Sequence, residues 1–338
     1  MIVTFGEIMM RLAPTGYLRL NQTSQLEMTF GGGEANVAVS LANYNKNARF
    51  VTGLPDNDIG LACIGQLRKW NVDTSEIIVN PGRMGIYYCE KGASQRPSKV
   101  IYDRAGSAFA KLKSSDFDWS KILKGAKWFH FTGITPALSD GIADATLEAC
   151  RQAKQMNIPV SCDLNYRKKL WSKEKANKVM SGLMPYVDVL IANEEDANDV
   201  FGIKAGNTDV TAGKLCFESY RDVAKQIDDR FGIKKIAVTL RESVSASNNL
   251  WSAMLYDNGD LYSSKKYNIQ IVDRVGGGDS FAAGLIYGIT EGYDCQRALE
   301  FATAASCLKH SIEGDFNDVS VSEVEALANG DGSGRVQR

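Results

Sequence analysis

The chain has 338 residues, 44% of them hydrophobic and 23% charged, with 39 basic against 40 acidic side chains and a formal net charge of -1. This is enough apolar material for a sizeable core, and the balanced charge argues against a nucleic-acid or membrane-surface partner. No run is long and apolar enough to span a bilayer, and two histidines with seven scattered cysteines and no Cys-x-x-Cys offer no zinc cluster.

In chain order, residues 2–5 form a short apolar run that reads as a first buried strand. It does not read as a signal peptide, because no basic leader precedes it and Glu7 interrupts it. With free thiols as the simplest account of the cysteines, the expected setting is a reducing cytoplasm. Similar runs follow at 48–52, 128–132, 159–164, 187–192 and 235–239, continuously apolar as buried parallel strands are. Helical patterns at 34–44, 58–70, 140–156, 173–184 and 219–231 lie between them. Alternation of this kind predicts a parallel sheet covered on both faces, a three-layer α/β/α domain. His130 falls in one of the strand-like runs and is expected to be structural.

Two stretches break the alternation. Residues about 10–30 and 83–104 carry short alternating runs that predict antiparallel strands of a small second sheet, a lid or a dimer surface. The Gly-rich polar tail, 328–338, is expected to be disordered, leaving 1–327 as the domain.

The segment that points to chemistry is Asp273-Arg-Val-Gly-Gly-Gly-Asp279, followed by a small-residue helix. Glycines at a helix start leave backbone N–H groups free and let a ligand approach. The helix dipole adds partial positive charge there, so Gly276, Gly277 and Gly278 form a predicted anion hole. Asp279 at its mouth can accept the proton of an attacking hydroxyl. Taken alone, the segment reads rather as a turn with a capping Asp, and it is the wider context that reverses this.

Two further stretches set the context: Phe30-Gly-Gly-Gly-Glu-Ala-Asn36, and Gly53-Leu-Pro-Asp-Asn-Asp-Ile-Gly60. With these in the same order, the chain resembles the ribokinase-like (PfkB) carbohydrate kinases over 1 to about 327. Arg274 and Gly277 depart from the commonest residues of the C-terminal motif. The resemblance implies a ribokinase-like three-layer sandwich with a β-sheet lid, often dimeric through that lid. It implies ATP and Mg2+ as cofactors, Asp279 as catalytic base and the amides of 276–278 as the anion hole. It also implies nucleotide contacts at Asn193, Thr239, Arg241, Gly276 and Gly278, and an indirect metal contact at Asp196 and Glu195. Asp196 stands where the family usually has Glu, with Glu194 or Glu195 as compensation. Some members bind a monovalent cation (K+) near the anion hole, where Asp273 could contribute.

Within the family, Tyr102-Asp-Arg104 and Asp163-Leu-Asn-Tyr-Arg167 look like the marks of 2-keto-3-deoxygluconate kinases. The match implies sugar contacts at Gly33 and Asn36, a pocket lined by Tyr88 and Tyr102, and a carboxylate held by Arg104 and Arg167. It also implies that Asp315 closes over the substrate. Two readings stay open beside it: a kinase for a neutral sugar, fructokinase- or ribokinase-like, and a non-catalytic sugar-binding regulator.

Overall fold

A computed structural model describes residues 1–193, 195–204 and 217–334. The first half runs β1 (Ile2–Phe5), β2 (Met9–Ala13), β3 (Glu27–Gly31), α1 (Gly33–Asn43), β4 (Ala48–Val51), β5 (Gly53–Pro55), α2 (Asp58–Lys69), β6 (Ile78–Asn80), β7 (Ile86–Glu90), β8 (Lys99–Asp103), α3 (Trp119–Ile122), β9 (Trp128–Thr132) and α4 (Asp140–Gln155). The second runs β10 (Val160–Asp163), α5 (Lys173–Leu183), β11 (Val189–Asn193), α6 (Asp196–Phe201), α7 (Phe217–Phe231), β12 (Lys235–Ser243), β13 (Asn248–Asp257), β14 (Asp260–Ser263), β15 (Tyr267–Gln270), α8 (Gly277–Thr290), α9 (Cys295–Lys309) and α10 (Val321–Ala328).

The main sheet has the order β14-β13-β12-β11-β10-β9-β1-β4, with β15 beside β13. From β12 to β4 every pairing is parallel, and β13, β14 and β15 add an antiparallel edge. Alternation along β1 sends Val3 and Phe5 to one core and Ile2 to the other. Helices α4, α5, α6 and α7 cover the first face with Ile142, Ala176, Val200 and Ala224. Helices α1, α2, α8, α9 and α10 cover the second with Val37, Leu67, Leu285, Leu299 and Val324. This is the expected three-layer sandwich. Several helices start where polar caps sit: Asn57, Ser139, Ser172 and Asp294 each accept a first-turn amide.

α8 and α9 approach unusually closely. A Cβ on Gly284 would lie 2.8 Å from Ala302 Cα, and one on Gly288 would lie 2.9 Å from Ala298 Cα. The two glycines, four apart, share one face of α8.

The second sheet, ordered β3-β2-β7-β8, is where the lid was expected. Its pairing differs from the expectation of antiparallel strands. The β2–β3 and β7–β8 pairs are antiparallel, but β2 and β7 are parallel, with Arg11 opposite Tyr87. The reason is topological: two hairpins contributed from distant parts of the chain meet side by side in the same direction. Of the tail, Ala328 still belongs to α10, and 335–338 lie outside the described residues.

Candidate active site

The carboxyl ends of β1, β9, β10, β11 and β12 open toward the lid sheet, the usual place for a ligand crevice in a parallel α/β sheet. α8 begins in that crevice. Gly276 is its N-cap at φ +85°, a conformation that favours glycine, and a Cβ there would lie 2.1 Å from the Asp315 carbonyl oxygen. A Cβ on Gly277 would lie 2.6 Å from the His310 ring, whereas one on Gly278 would meet nothing within 4 Å. The first two glycines therefore let the loop pack tightly, and the third leaves the peptide open to the cleft. The Gly277 N–H reaches back to the Arg274 carbonyl at 3.4 Å. The free donors of this first turn are thus centred on Gly278 and Asp279 rather than spread evenly over 276–278.

Asp279 occupies the third position of the helix and is partly buried. Asn36 Nδ2 donates to its Oδ2 at 2.7 Å, and Asn36 Oδ1 accepts from the Gly32 N–H at 3.3 Å, which fixes the amide's orientation. Gly33 leaves room: a Cβ there would stand 3.5 Å from Asp279 Oδ1. Burial pushes the Asp279 carboxyl up to about 6, against the pull of the Asn36 hydrogen bond and the charges of Arg167 and Lys309. A base poised near neutrality is what proton abstraction from an alcohol needs.

Next to it lies a second carboxyl group, Asp163 at the end of β10. Burial, then the charges of Asp196 and Asp279, push its pKa well up, and Arg167 opposes them. Arg167 itself is exposed, on the loop after β10. Asp196 is almost fully buried and accepts from the amides of Tyr166 at 3.2 Å and Asn193 at 3.1 Å. It is therefore a staple between two loops, and burial raises its pKa to about 6. The Asn193 side chain accepts from the amides of Glu195 and Asp196 at the start of α6, and Glu195 is exposed. Glu194 lies outside the described residues. No cluster of three potential metal ligands occurs among the described residues. Each oxygen of Asp196 keeps a lone pair beyond its amide bond, which suits contact with a metal-bound water better than direct ligation.

On the nucleotide side, Thr239 is half-buried and Arg241 exposed, on the same face of β12. Burial and then the neighbouring charge of Arg241 lower the pKa of Arg274, while Asp273 opposes them. Two guanidiniums repelling each other beside a helix N-terminus make an anion site.

The lid side redistributes the expected roles. Tyr87 stands opposite both Arg11 and Tyr102, and the Tyr87 and Tyr102 rings are 6.1 Å apart. Tyr88, one residue on, points to the opposite face, so it does not line one wall with Tyr102 as expected. Tyr87 takes that place. Arg104 lies against the Tyr102 ring at 5.8 Å, but its Nε donates to Glu7 at 2.7 Å and Glu7 also pairs with its Nη2. One edge of the guanidinium fork is thus occupied, and Arg104 presents half a clamp. Asp315 is buried. Its Oδ1 accepts from Arg11 Nη1 at 2.7 Å and its Oδ2 from the Tyr87 hydroxyl at 2.5 Å, so the expected closing group is instead locked in a buried network. His130 is fully buried, bonded to Ser161 Oγ at 2.8 Å, in keeping with a structural role.

The pfkB family carbohydrate kinase model matches residues 1–319. The chain belongs to this family. It is an ATP-dependent sugar kinase with a ribokinase-like fold. The crystal structure of 2-dehydro-3-deoxygluconokinase from Thermotoga maritima is 52% identical, superposes with a TM-score of 0.94, and is covered to 99% by 97% of this chain. The 2-dehydro-3-deoxygalactonokinase of Haloferax volcanii is 31% identical over 98% of both chains. The 2-dehydro-3-deoxygluconokinase of Thermoproteus tenax is 28% identical over 93% of this chain and 89% of its own.

A PfkB monovalent-cation site using Asp273 does not fit these residues. Asp273 Oδ2 accepts from Arg11 Nη2 at 2.5 Å and from the Gly314 N–H at 3.2 Å, and its Oδ1 accepts from the Val275 N–H at 3.1 Å. Arg11, Tyr87, Glu7, Asp163 and Lys309 were not singled out from sequence. For Tyr87 a signal existed, the alternation of β7. For buried Arg11 and Lys309 none did, because a charged residue in sequence reads as solvated.

Proposed function

We propose that this kinase phosphorylates the primary hydroxyl of a keto-deoxy sugar acid, 2-keto-3-deoxygluconate, giving 2-keto-3-deoxy-6-phosphogluconate and ADP. The observation that carries the reading is Arg167. Its guanidinium is exposed, and its charge acts on both Asp163 and Asp279. A substrate with a carboxylate at one end and a hydroxyl at the other would place the first on Arg167 and the free Arg104 edge, and the second on Asp279. The hydroxyl oxygen forms its bond to the γ-phosphorus as the bond to the bridging oxygen breaks, and its proton passes to Asp279. The amides of Gly278 and Asp279, with Arg241 and Arg274, would hold the charge on the moving phosphoryl group. Mg2+, when bound with ATP, neutralises phosphate charge, and Asp163 and Asp196 are the carboxyl groups that would hold its waters. Free thiols at the described cysteines fit a cytoplasmic setting.

The test is a sugar panel with ATP: 2-keto-3-deoxygluconate, its galacto epimer, fructose and ribose. Turnover is expected on the acids, and Arg167→Ala should cost about 10–100-fold in kcat/KM on them, the worth of one charged hydrogen bond. Preferential turnover of fructose or ribose would reject the substrate, as would an Arg167→Ala enzyme at parental efficiency.

The lid also supports a dimer. Met28, Leu12, Tyr88 and Ile101 stand in register across its four strands, on the face away from Tyr87. Met28 is 52% and Ile101 53% exposed. An apolar row like this suits the same row of a second copy. Met28→Lys with Ile101→Lys should halve the mass measured by sedimentation velocity; an unchanged mass would remove the lid from the interface.

A further inference from the structure

Lys309, at the end of α9, has 0% of its surface exposed. Lysine is almost never buried this completely without a reason. Its Nζ donates to the Ile312 carbonyl at 2.9 Å. Its Cε lies 3.2 Å from where a Gly276 Cβ would stand, so the side chain runs directly against the N-cap of α8. Burial lowers its pKa, and the carboxylates of Asp273, Asp315 and Asp279 oppose that pull, while Arg11 adds to it. Nothing in the phosphoryl-transfer reading above uses it as a ligand of sugar or phosphate.

We propose that the Lys309 ammonium is a built-in monovalent cation, holding the anion-hole loop in place so that the enzyme needs no bound potassium. A potassium ion would need several oxygen ligands under this loop. The Ile312 carbonyl is already turned to the ammonium, and both oxygens of Asp273 accept bonds from Arg11, Gly314 and Val275. Two fixed cations, Arg11 and Lys309, thus balance two fixed carboxylates, Asp273 and Asp315. Asp279 makes no ion pair among the described residues and is left free to take a proton. Lys309 acts through the loop and is a positioning residue. The proposal rests on the kinase reading but not on the identity of the sugar, so the assay uses whichever acceptor the panel shows to turn over.

The full-length protein would be assayed with Mg-ATP in tetramethylammonium buffers, titrating KCl against choline chloride. The parent rate should change less than twofold. Lys309→Ala should lose tenfold or more, recover saturably with K+ or NH4+ but not with choline, and be partly rescued by Lys309→Arg. A second readout needs no substrate: KCl should raise the unfolding midpoint of Lys309→Ala over choline chloride and leave the parent unmoved. Lys309→Gln gives the same comparison if the alanine variant does not fold. Several-fold K+ activation of the parent, or a Lys309→Ala enzyme that is fully active without K+, would overturn the proposal. Absence of any sugar turnover would strike the proposed function instead, and the thermal arm would still decide on Lys309.

Discussion

Asp279→Asn should lower kcat by about 10²–10⁴-fold, because the hydroxyl loses the group that takes its proton while the anion hole stays intact. The same carboxyl predicts the pH profile of the parent. Its pKa near 6 means that kcat/KM should fall tenfold per pH unit below that value as the base is protonated, and should level off above it. The stability consequence has the opposite sense. A carboxyl raised in the folded state from 3.8 to about 6 binds its proton more tightly when folded, so its contribution is favourable at low pH and is lost as pH rises through 6. At pH 8 the ionised group costs on the order of 3 kcal/mol at most. Asp279→Asn should therefore melt at a higher temperature than the parent at pH 8 and at nearly the same temperature at pH 4. A slow variant that is also more stable would mark a strained functional group. If Asp279→Asn turned over at the parental rate, the carboxyl would not be the base.

Arg11→Met should destabilise the protein by about 3–5 kcal/mol, the range for removing one partner of a buried ion pair. Arg11 is 3% exposed and bonds both Asp273 and Asp315, which are themselves buried. Burial disfavours its charge, but the two carboxylates outweigh that and hold its pKa above the ordinary value. Without it, Asp273 keeps only the amides of Gly314 and Val275 and Asp315 the Tyr87 hydroxyl, with the charge of Lys309 nearby. Asp315, already raised by burial, would rise further. Urea unfolding at pH 7.5 measures the loss, and part of it should be regained on acidification as Asp315, whose pKa burial raises, takes up a proton. A loss below 1 kcal/mol would mean that the network contributes little to folding.

The parts of this fold that were legible in sequence are those where the backbone itself dictates the residue. Gly31, Gly32, Gly276 and Gly277 stand where a Cβ would strike Asp315, Glu7 or His310, so these glycines mark the crevice in one dimension as in three. The parallel strands announce themselves by being apolar on both faces. The lid was legible as strands but not as a pairing, because alternation fixes which residues share a face and not the direction of the neighbour. Tyr87 and Tyr88 show the same limit at one residue: adjacent tyrosines are equivalent in sequence, and only the pleat decides which faces the cleft. The β13–β14 hairpin had a signal that passed unused. Asn258-Gly259, both at positive φ, sits between two alternating runs. Asp196 shows the converse, a motif position whose carboxyl also has a structural task that sequence does not reveal, accepting from the amides of Tyr166 and Asn193.

The contact of α8 with α9 through Gly284 and Gly288 sets a mechanical tolerance on the whole site. At those two glycines the helices meet backbone to backbone, with no side chain of α8 between them to take up slack, while Tyr287 stacks on Phe301 alongside at 4.8 Å. The spacing of α8 from α9 is thus fixed at two points by the backbone, which leaves little freedom to shift the helix that carries Asp279. Room to accommodate acceptors of different shape is then left to the opposite wall, where β8 presents Tyr102 beside Arg104 on the face away from Ile101.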